Sequence, residues 1–187
     1  MPTNRVCRAC LIERDGGRPV QSDEVVRLCQ CFERANLAFW VDGGWGVDAL
    51  LGRQTRPHSD LDLAVNLADL AAFDRLLQHQ GYARIARDHD PEWNWVLRHQ
   101  SGRSVDLHGF VRDAMGNGIL GDPGEGSSYP AGALEGRGAI SGFAVGCIAA
   151  PFVLAFRNGF EPRDVDRHDV TALCAQFGFA LPSRFRI

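Results

Sequence analysis

No apolar run in this sequence approaches the ~20 residues that a membrane-crossing helix needs. The first residues, MPTNRVCRACLIERDGG, lack the apolar core of a secretory leader. Basic residues are not in excess. The 20 Lys and Arg stand against 23 Asp and Glu, a formal net charge of −3. Without a domain-wide positive field, a nucleic-acid backbone is not the expected partner. No internal repeat is visible. These absences predict a cytoplasmic protein with no membrane and no nucleic-acid partner, whose thiols are reduced.

What is present suffices for a core: 45% of the 187 residues are apolar. That length suits one domain, or one domain with a small helical appendage. Six cysteines invite a zinc reading, since Cys7 and Cys10 form a CxxC and Cys29 and Cys31 follow. The second pair is a CxC within a helical pattern, and residues two apart on a helix point in different directions. Buried thiols and an incidental N-terminal pair are therefore expected, not a metal site.

Along the chain, residues 1–21 read as a loose extension. Ser22 and Asp23 are good helix caps, and Val25, Leu28, Cys29 and Phe32 recur at helical spacing. LAFWVD reads as a strand ending at Gly43-Gly44, and GWGVDALLG as a short helix closed by Gly52. DLDLAV, from Asp60 to Val65, is a second strand. Residues 67–80 form an amphipathic helix with Leu70, Phe73, Leu76 and Leu77 on one face. YARIAR, WNWVLRH and SVDLHGFV follow as strands, then a Gly-, Pro- and Ser-rich loop over 115–138, then the strand GFAVGCIA and two helices. This order predicts an α/β or α+β fold, with a mixed β-sheet flanked by helices. The expected organisation is a core over 22–150 and a C-terminal helical segment over 151–187.

The chemistry is concentrated in Asp60-Leu61-Asp62-Leu63. Strand side chains alternate, so the two leucines face one way and the two aspartates the other. Paired carboxylates repel, and folding alone gives no reason to place them together. A divalent cation removes that cost, and Mg²⁺ favours a few carboxylates plus substrate phosphates. An isolated DxD is more often a solvated face of an edge strand. Here, however, Asp106 and His108 share a face in Val105-Asp106-Leu107-His108. If that strand lies beside DLDL, three carboxylates converge, as suits two Mg²⁺ ions about 3.5–4 Å apart. Gly43-Gly44, between a strand and a helix start, lets backbone N–H groups approach a phosphate, or is simply a tight turn. Arg56 and His58 either contact a triphosphate or belong to an ordinary polar connector. Trp93 and Trp95 pack in the core in preference to stacking on a ligand.

The block from Gly43 through Trp45, Asp48, Gly52 and Arg56 to His58, Asp60 and Asp62 resembles the antibiotic nucleotidyltransferases of the polymerase-beta-like superfamily. It looks like both the lincosamide nucleotidyltransferases and the aminoglycoside 2″-adenylyltransferases. Asp106-Leu107-His108 and the tail from Phe156 through Asp166-Arg167-His168-Asp169 are similar to the lincosamide enzymes, with Arg157 and Phe160 departing from their pattern. The resemblance spans roughly residues 22–178. It implies a nucleotidyltransferase fold, Mg²⁺, and ATP or another NTP as co-substrate. It implies Asp60, Asp62 and Asp106 as metal ligands and catalytic carboxylates. Gly43, Gly44 and the helix start at Trp45, with Arg56 and His58, are then nucleotide-binding.

On this reading a hydroxyl of a small molecule attacks the α-phosphate and pyrophosphate leaves. Which carboxylate takes the proton stays open. His108 is placed to meet the acceptor or to orient Asp106. A lincosamide is the expected acceptor. The glycine-rich, apolar segment around Tyr129 suits a mixed polar and apolar ligand better than a polycation. An aminoglycoside is the alternative, with Asp48, Asp88, Asp90, Glu92 and Asp122 as an acidic pocket. A non-catalytic, antitoxin-like relative and a protein-modifying enzyme are further alternatives, and a homodimer is open.

Overall fold

The structure, a computed structural model, describes residues 18–86, 91–122, 127–159 and 161–186. The CxxC of Cys7 and Cys10, the acidic residues Asp88 and Asp90, and Phe160 lie outside them. The first helix, α1 (Ser22–Arg34), buries Val25, Leu28, Cys29 and Phe32 on one stripe, as their spacing predicts. Its cap differs from expectation. Gln21 is the N-cap and caps with no side chain, while Asp23 lies inside the helix and accepts the N–H of Glu24. Val20, assigned from sequence to a loose extension, is fully buried, and its N–H donates to the carbonyl of His58 at 2.7 Å.

Strand β1 (Phe39–Val41) leads into α2 (Gly43–Leu51), which Gly52 closes in the left-handed conformation. Next come β2 (Asp60–Asn66) and a 3₁₀ turn over Leu67–Asp69 that opens α3 (Leu70–His79). Strands β3 (Tyr82–Arg84), β4 (Asn94–His99) and β5 (Ser104–Arg112) follow. The segment 115–138, expected to be loop, holds β6 (Gly118–Leu120), β7 (Ser128–Tyr129), a 3₁₀ turn over Ala133–Glu135 and the start of β8 (Gly136–Ile140). These strands are too short to show a period of two. Nor is glycine a loop signal at Gly138, where a Cβ would lie 2.3 Å from the carbonyl oxygen of Ala49, so its absence lets α2 sit against β8. Last are β9 (Phe143–Cys147), α4 (Ala150–Arg157) and α5 (Asp164–Phe177).

The sheet runs β3-β4-β5-β2-β1-β9-β8, with β6 taking over from β4 along the far half of β5. It is mixed, because β2 is parallel to β5 and antiparallel to β1. One core cluster joins Leu61, Leu63 and Val65 of β2 to α1 and α3. A second, on the opposite face, joins Ala64 and Phe110 to α4 and α5 through Val153 and Leu173. The expected α+β fold with C-terminal helices is the observed one, and none of the helices described is long and apolar enough to cross a membrane.

The cysteines behave as their spacing indicates. Cys29 and Cys147 are buried, and burial pushes both thiols up to about 12. Cys31, two residues from Cys29, is only half-buried.

Buried ion pairs fasten α5 to the connector ahead of β2. Arg56 donates from Nε and Nη2 to the two oxygens of Asp169, both at 2.8 Å. Arg157 reaches Asp169 at 2.9 Å and donates to Asp166 at 2.6 Å, and Arg163 also donates to Asp166. Burial works to raise Asp166, but hydrogen bonds from Arg163 and the charge of Arg157 outweigh it and hold the carboxyl below its usual range. A lowered carboxyl stabilises the fold above the unfolded value, about 4, and that stability is lost as pH falls below it.

Asp169→Asn is expected to destabilise the protein by about 3 kcal/mol, since it strips two partly buried guanidinium groups of their shared anion. Urea denaturation at pH 7 measures this.

Candidate active site

Strand β2 is central, flanked by β1 and β5, so its aspartates are not the solvated face of an edge strand. Leu61 and Leu63 are fully buried on one side, while Asp60 and Asp62 are half-exposed on the other. The parallel register sets Asp62 directly beside Asp106 and Asp60 beside Ser104. Asp106 is fully buried and His108 is 2% exposed. Nε2 of His108 lies 3.6 Å from Oδ1 of Asp106 and 3.9 Å from Oδ1 of Asp62. One ligand atom from each of Asp62, Asp106 and His108 falls within 4.8 Å of the others. Asp60 is not in this group. Its charge acts on the Arg56 guanidinium, beside the start of α2.

The donor set fits a divalent cation. Two carboxylates meet across adjacent strands, and the buried Nε2 of His108 has no hydrogen-bond partner among the described residues. A buried imidazole nitrogen without a partner is costly unless something occupies that position.

The helix start abuts the carboxylates. A Cβ at Gly43 would lie 1.9 Å from Oδ2 of Asp62, and Gly43 has a φ of +57°. A Cβ at Gly44 would lie 2.3 Å from Nδ1 of His58 and 2.7 Å from Nη2 of Arg56. Only glycine fits at either position. The first i→i−4 bond of the helix is that from Gly46 N–H to the carbonyl of Asp42, so the N–H groups of Gly44 and Trp45 precede the ladder and are set to meet an anion.

Several expected contacts take another form. Trp45 is 2% exposed and its ring packs 4.8 Å from that of His58, so it can offer a ligand its backbone, not its side chain. His58 is buried and its Nε2 pairs with Asp48, which also accepts from the N–H and hydroxyl of Thr55. Asp48 is thus a brace for the connector, not part of an acidic pocket wall. Of the other acidic residues proposed for that pocket, Glu92 and Asp122 are exposed. Arg56 lies beside Gly44 with its guanidinium held by Asp169. Tyr129, read from sequence as lying in a ligand loop, is 4% exposed, and its hydroxyl donates to Asp42 at 2.9 Å. Trp93 is buried in the second core cluster, as expected. Half-buried Trp95 packs against the first and carries the Arg84 guanidinium 3.8 Å from its ring centre.

Sequence reasoning passed over two polar side chains. Asn94, fully buried, donates from Nδ2 to Oδ1 of Asp106 at 2.5 Å and to the carbonyl of Leu107 at 3.3 Å. A neutral amide gives the buried carboxylate a donor without cancelling its charge. Asp42 caps α2 by accepting from Gly43 N–H at 2.7 Å. A capping residue just before the glycines was a readable signal for Asp42. For Asn94 there was none, because its partner lies across the β4–β5 register.

The model of the aminoglycoside-2″-adenylyltransferase family matches residues 24–173. A lincosamide resistance protein of Staphylococcus haemolyticus is 25% identical over 159 residues, which span 82% of this chain and 94% of that one. A 2″-aminoglycoside nucleotidyltransferase of Escherichia coli is 55% identical over 37 residues, 20% of this chain and 21% of its own. Among solved structures, a lincomycin-bound lincosamide antibiotic adenylyltransferase has a TM-score of 0.71 at 25% identity, covering 83% of this chain and 97% of that one. ANT(2″)-Ia in complex with adenylyl-2″-tobramycin has a TM-score of 0.68 at 17% identity, covering 84% and 90%. That second likeness is one of fold.

Two substitutions separate charge from support. Asp62→Asn should leave the cation-free melting temperature unchanged or higher, because it relieves repulsion with Asp106, and should abolish any rise on adding Mg²⁺. Asn94→Leu should lower stability by about 1–3 kcal/mol, because buried Asp106 loses a donor. Thermal melts with and without cation measure both.

Proposed function

The chain belongs to the aminoglycoside-2″-adenylyltransferase family, and from that premise we propose that it transfers a nucleoside monophosphate, AMP foremost, from Mg²⁺-NTP to a hydroxyl of a small antibiotic, a lincosamide in the first place. The observation that carries this reading is the contact of two half-sites. The anion-binding start of α2 touches Asp62, and Asp62 lies in register with Asp106. A triphosphate on the helix start has its α-phosphate at the carboxylates.

In the proposed mechanism Gly43, Gly44 and the N–H of Trp45 hold the triphosphate. Arg56, aimed by Asp169, lends positive charge beside Gly44. His58 shapes the wall at Gly44 from its pairing with Asp48. Asp62 and Asp106 would hold a divalent cation, and Asp60 stands at the outer end of β2 toward the phosphates. That cation supplies positive charge to the phosphoryl oxygens and lowers the pKa of the attacking hydroxyl. Asp106, fully buried and fixed by Asn94, is the proposed acceptor of the hydroxyl proton. The new bond joins the acceptor oxygen to the α-phosphorus, and the bond to the β-phosphate oxygen breaks, releasing pyrophosphate.

Two observations support a lincosamide as acceptor. The sequence match to a lincosamide resistance protein runs along most of both chains, whereas the sequence match to the Escherichia coli aminoglycoside nucleotidyltransferase spans 37 residues. The acidic wall that a polycation would need is also weakened, since Asp48 is buried in a pair with His58. The matching family's own name favours the aminoglycoside alternative. We take the acting form as cytoplasmic, with no nucleic-acid or membrane partner.

Pyrophosphate release with Mg²⁺-ATP and lincomycin, clindamycin, kanamycin or tobramycin, measured side by side, decides between them. Turnover is expected with the first two, with a nucleotidyl adduct seen by mass spectrometry. Turnover with the last two alone would reverse the acceptor assignment. Asp60→Asn, Asp62→Asn and Asp106→Asn should each abolish transfer while the circular dichroism spectrum is retained.

A further inference from the structure

Resting on this reading of the site, we propose that His108 is itself a ligand of the divalent cation, through Nε2, and that the site therefore takes Mn²⁺ or Co²⁺ in preference to Mg²⁺. From sequence, His108 was expected to face the acceptor or to orient Asp106. Its surroundings point elsewhere. The ring is 2% exposed, and Nε2 has no hydrogen-bond partner among the described residues. At 3.6 and 3.9 Å from the Asp106 and Asp62 oxygens, it is too far to donate to either. Oδ1 of Asp106 accepts instead from Asn94.

These separations are those of ligands sharing one ion. Two ligands each about 2.1 Å from a cation lie about 3.0 Å apart at a right angle and about 4.2 Å apart on opposite sides. Both distances from Nε2 fall inside that interval, and the three ligand atoms lie within 4.8 Å of one another. A position between the three atoms satisfies the unpartnered nitrogen and screens the two carboxylates at once. The orientation of the partners fits as well, since Asn94 fixes the Asp106 carboxylate from behind.

Ligand chemistry then sets the preference. Mg²⁺ is a hard ion that favours oxygen and water, whereas imidazole nitrogen suits transition metals, and affinity rises from Mn²⁺ to Co²⁺. A site of two carboxylates and one imidazole should bind both more tightly than Mg²⁺.

The test uses the full chain with Mn²⁺ and a non-hydrolysable α,β-methylene ATP. Pulsed electron paramagnetic resonance of bound Mn²⁺ should show coupling to a ¹⁴N nucleus, and that coupling should vanish in His108→Gln, whose amide offers oxygen at similar reach. Titrations should give tighter binding of Mn²⁺ than Mg²⁺ in the wild type, and His108→Gln should weaken Mn²⁺ at least tenfold while changing Mg²⁺ less. Absence of nitrogen coupling in the wild type, or equal Mn²⁺ affinity in wild type and variant, overturns the proposal. The wild-type spectrum answers the question even if the variant does not fold. If Asp62→Asn abolishes Mn²⁺ binding while His108→Gln leaves it intact, the cation site stands without His108. If the wild type binds no Mn²⁺ even with nucleotide, the nucleotidyltransfer reading fails too.

Discussion

Two carboxylates side by side in the middle of a sheet repel each other, and the structure around them keeps both in place. The parallel pairing of β2 with β5 puts Asp62 next to Asp106, one half-exposed and the other fully buried. A hydrophobic core gains nothing from that arrangement. Leu61, Leu63, Val105 and Leu107 make the cost bearable by filling the opposite face with apolar contacts. Asn94 gives the buried anion a donor. The remaining imbalance is an electrostatic demand for positive charge at one end of the second face.

The same face is finished by elements distant in sequence. Tyr129 secures Asp42, Asp42 caps α2, and α2 begins on Asp62. Behind it, His58 and Asp48 lock the connector, and Arg56 is tied to α5 through Asp169. The C-terminal helices therefore reach the phosphate side of the site through Arg56, although α5 lies 113 residues away in sequence. Arg157, which departs from the lincosamide tail pattern, is one of the three arginines in that ion-pair chain. Its presence is a matter of anchoring α4 to α5, so it says little about the acceptor.

Much of the fold was legible because it rests on local periodicity. The stripes of α1 and α3, the alternation in DLDLAV and the left-handed glycine after α2 were all found where they were expected. The segment 115–138 was misread because strands of two or three residues carry no period, and because glycine marks close packing at Gly138 as readily as it marks a loop. The expected metal set of Asp60, Asp62 and Asp106 rests on the faces of two strands and on their lying side by side, which they do. The atoms that come within 4.8 Å of one another belong to Asp62, Asp106 and His108. Asp60 shares the face of Asp62 by the period of two, one strand repeat further along, and its charge also acts on Arg56.

The sequence by itself determined which residue types are available for the chemistry, and on which face of its own strand each one lies, because side-chain alternation is a property of the local backbone. It also determined that a glycine pair precedes a helix ahead of a DxD strand. Tertiary structure alone decided that β5 lies parallel to β2 in the register that joins Asp62 to Asp106, and that Asn94 supports them from β4. It also decided that His58, Asp48 and Tyr129 brace the site from buried positions. Register between strands and the burial of polar groups depend on contacts across tens of residues, which no local pattern encodes.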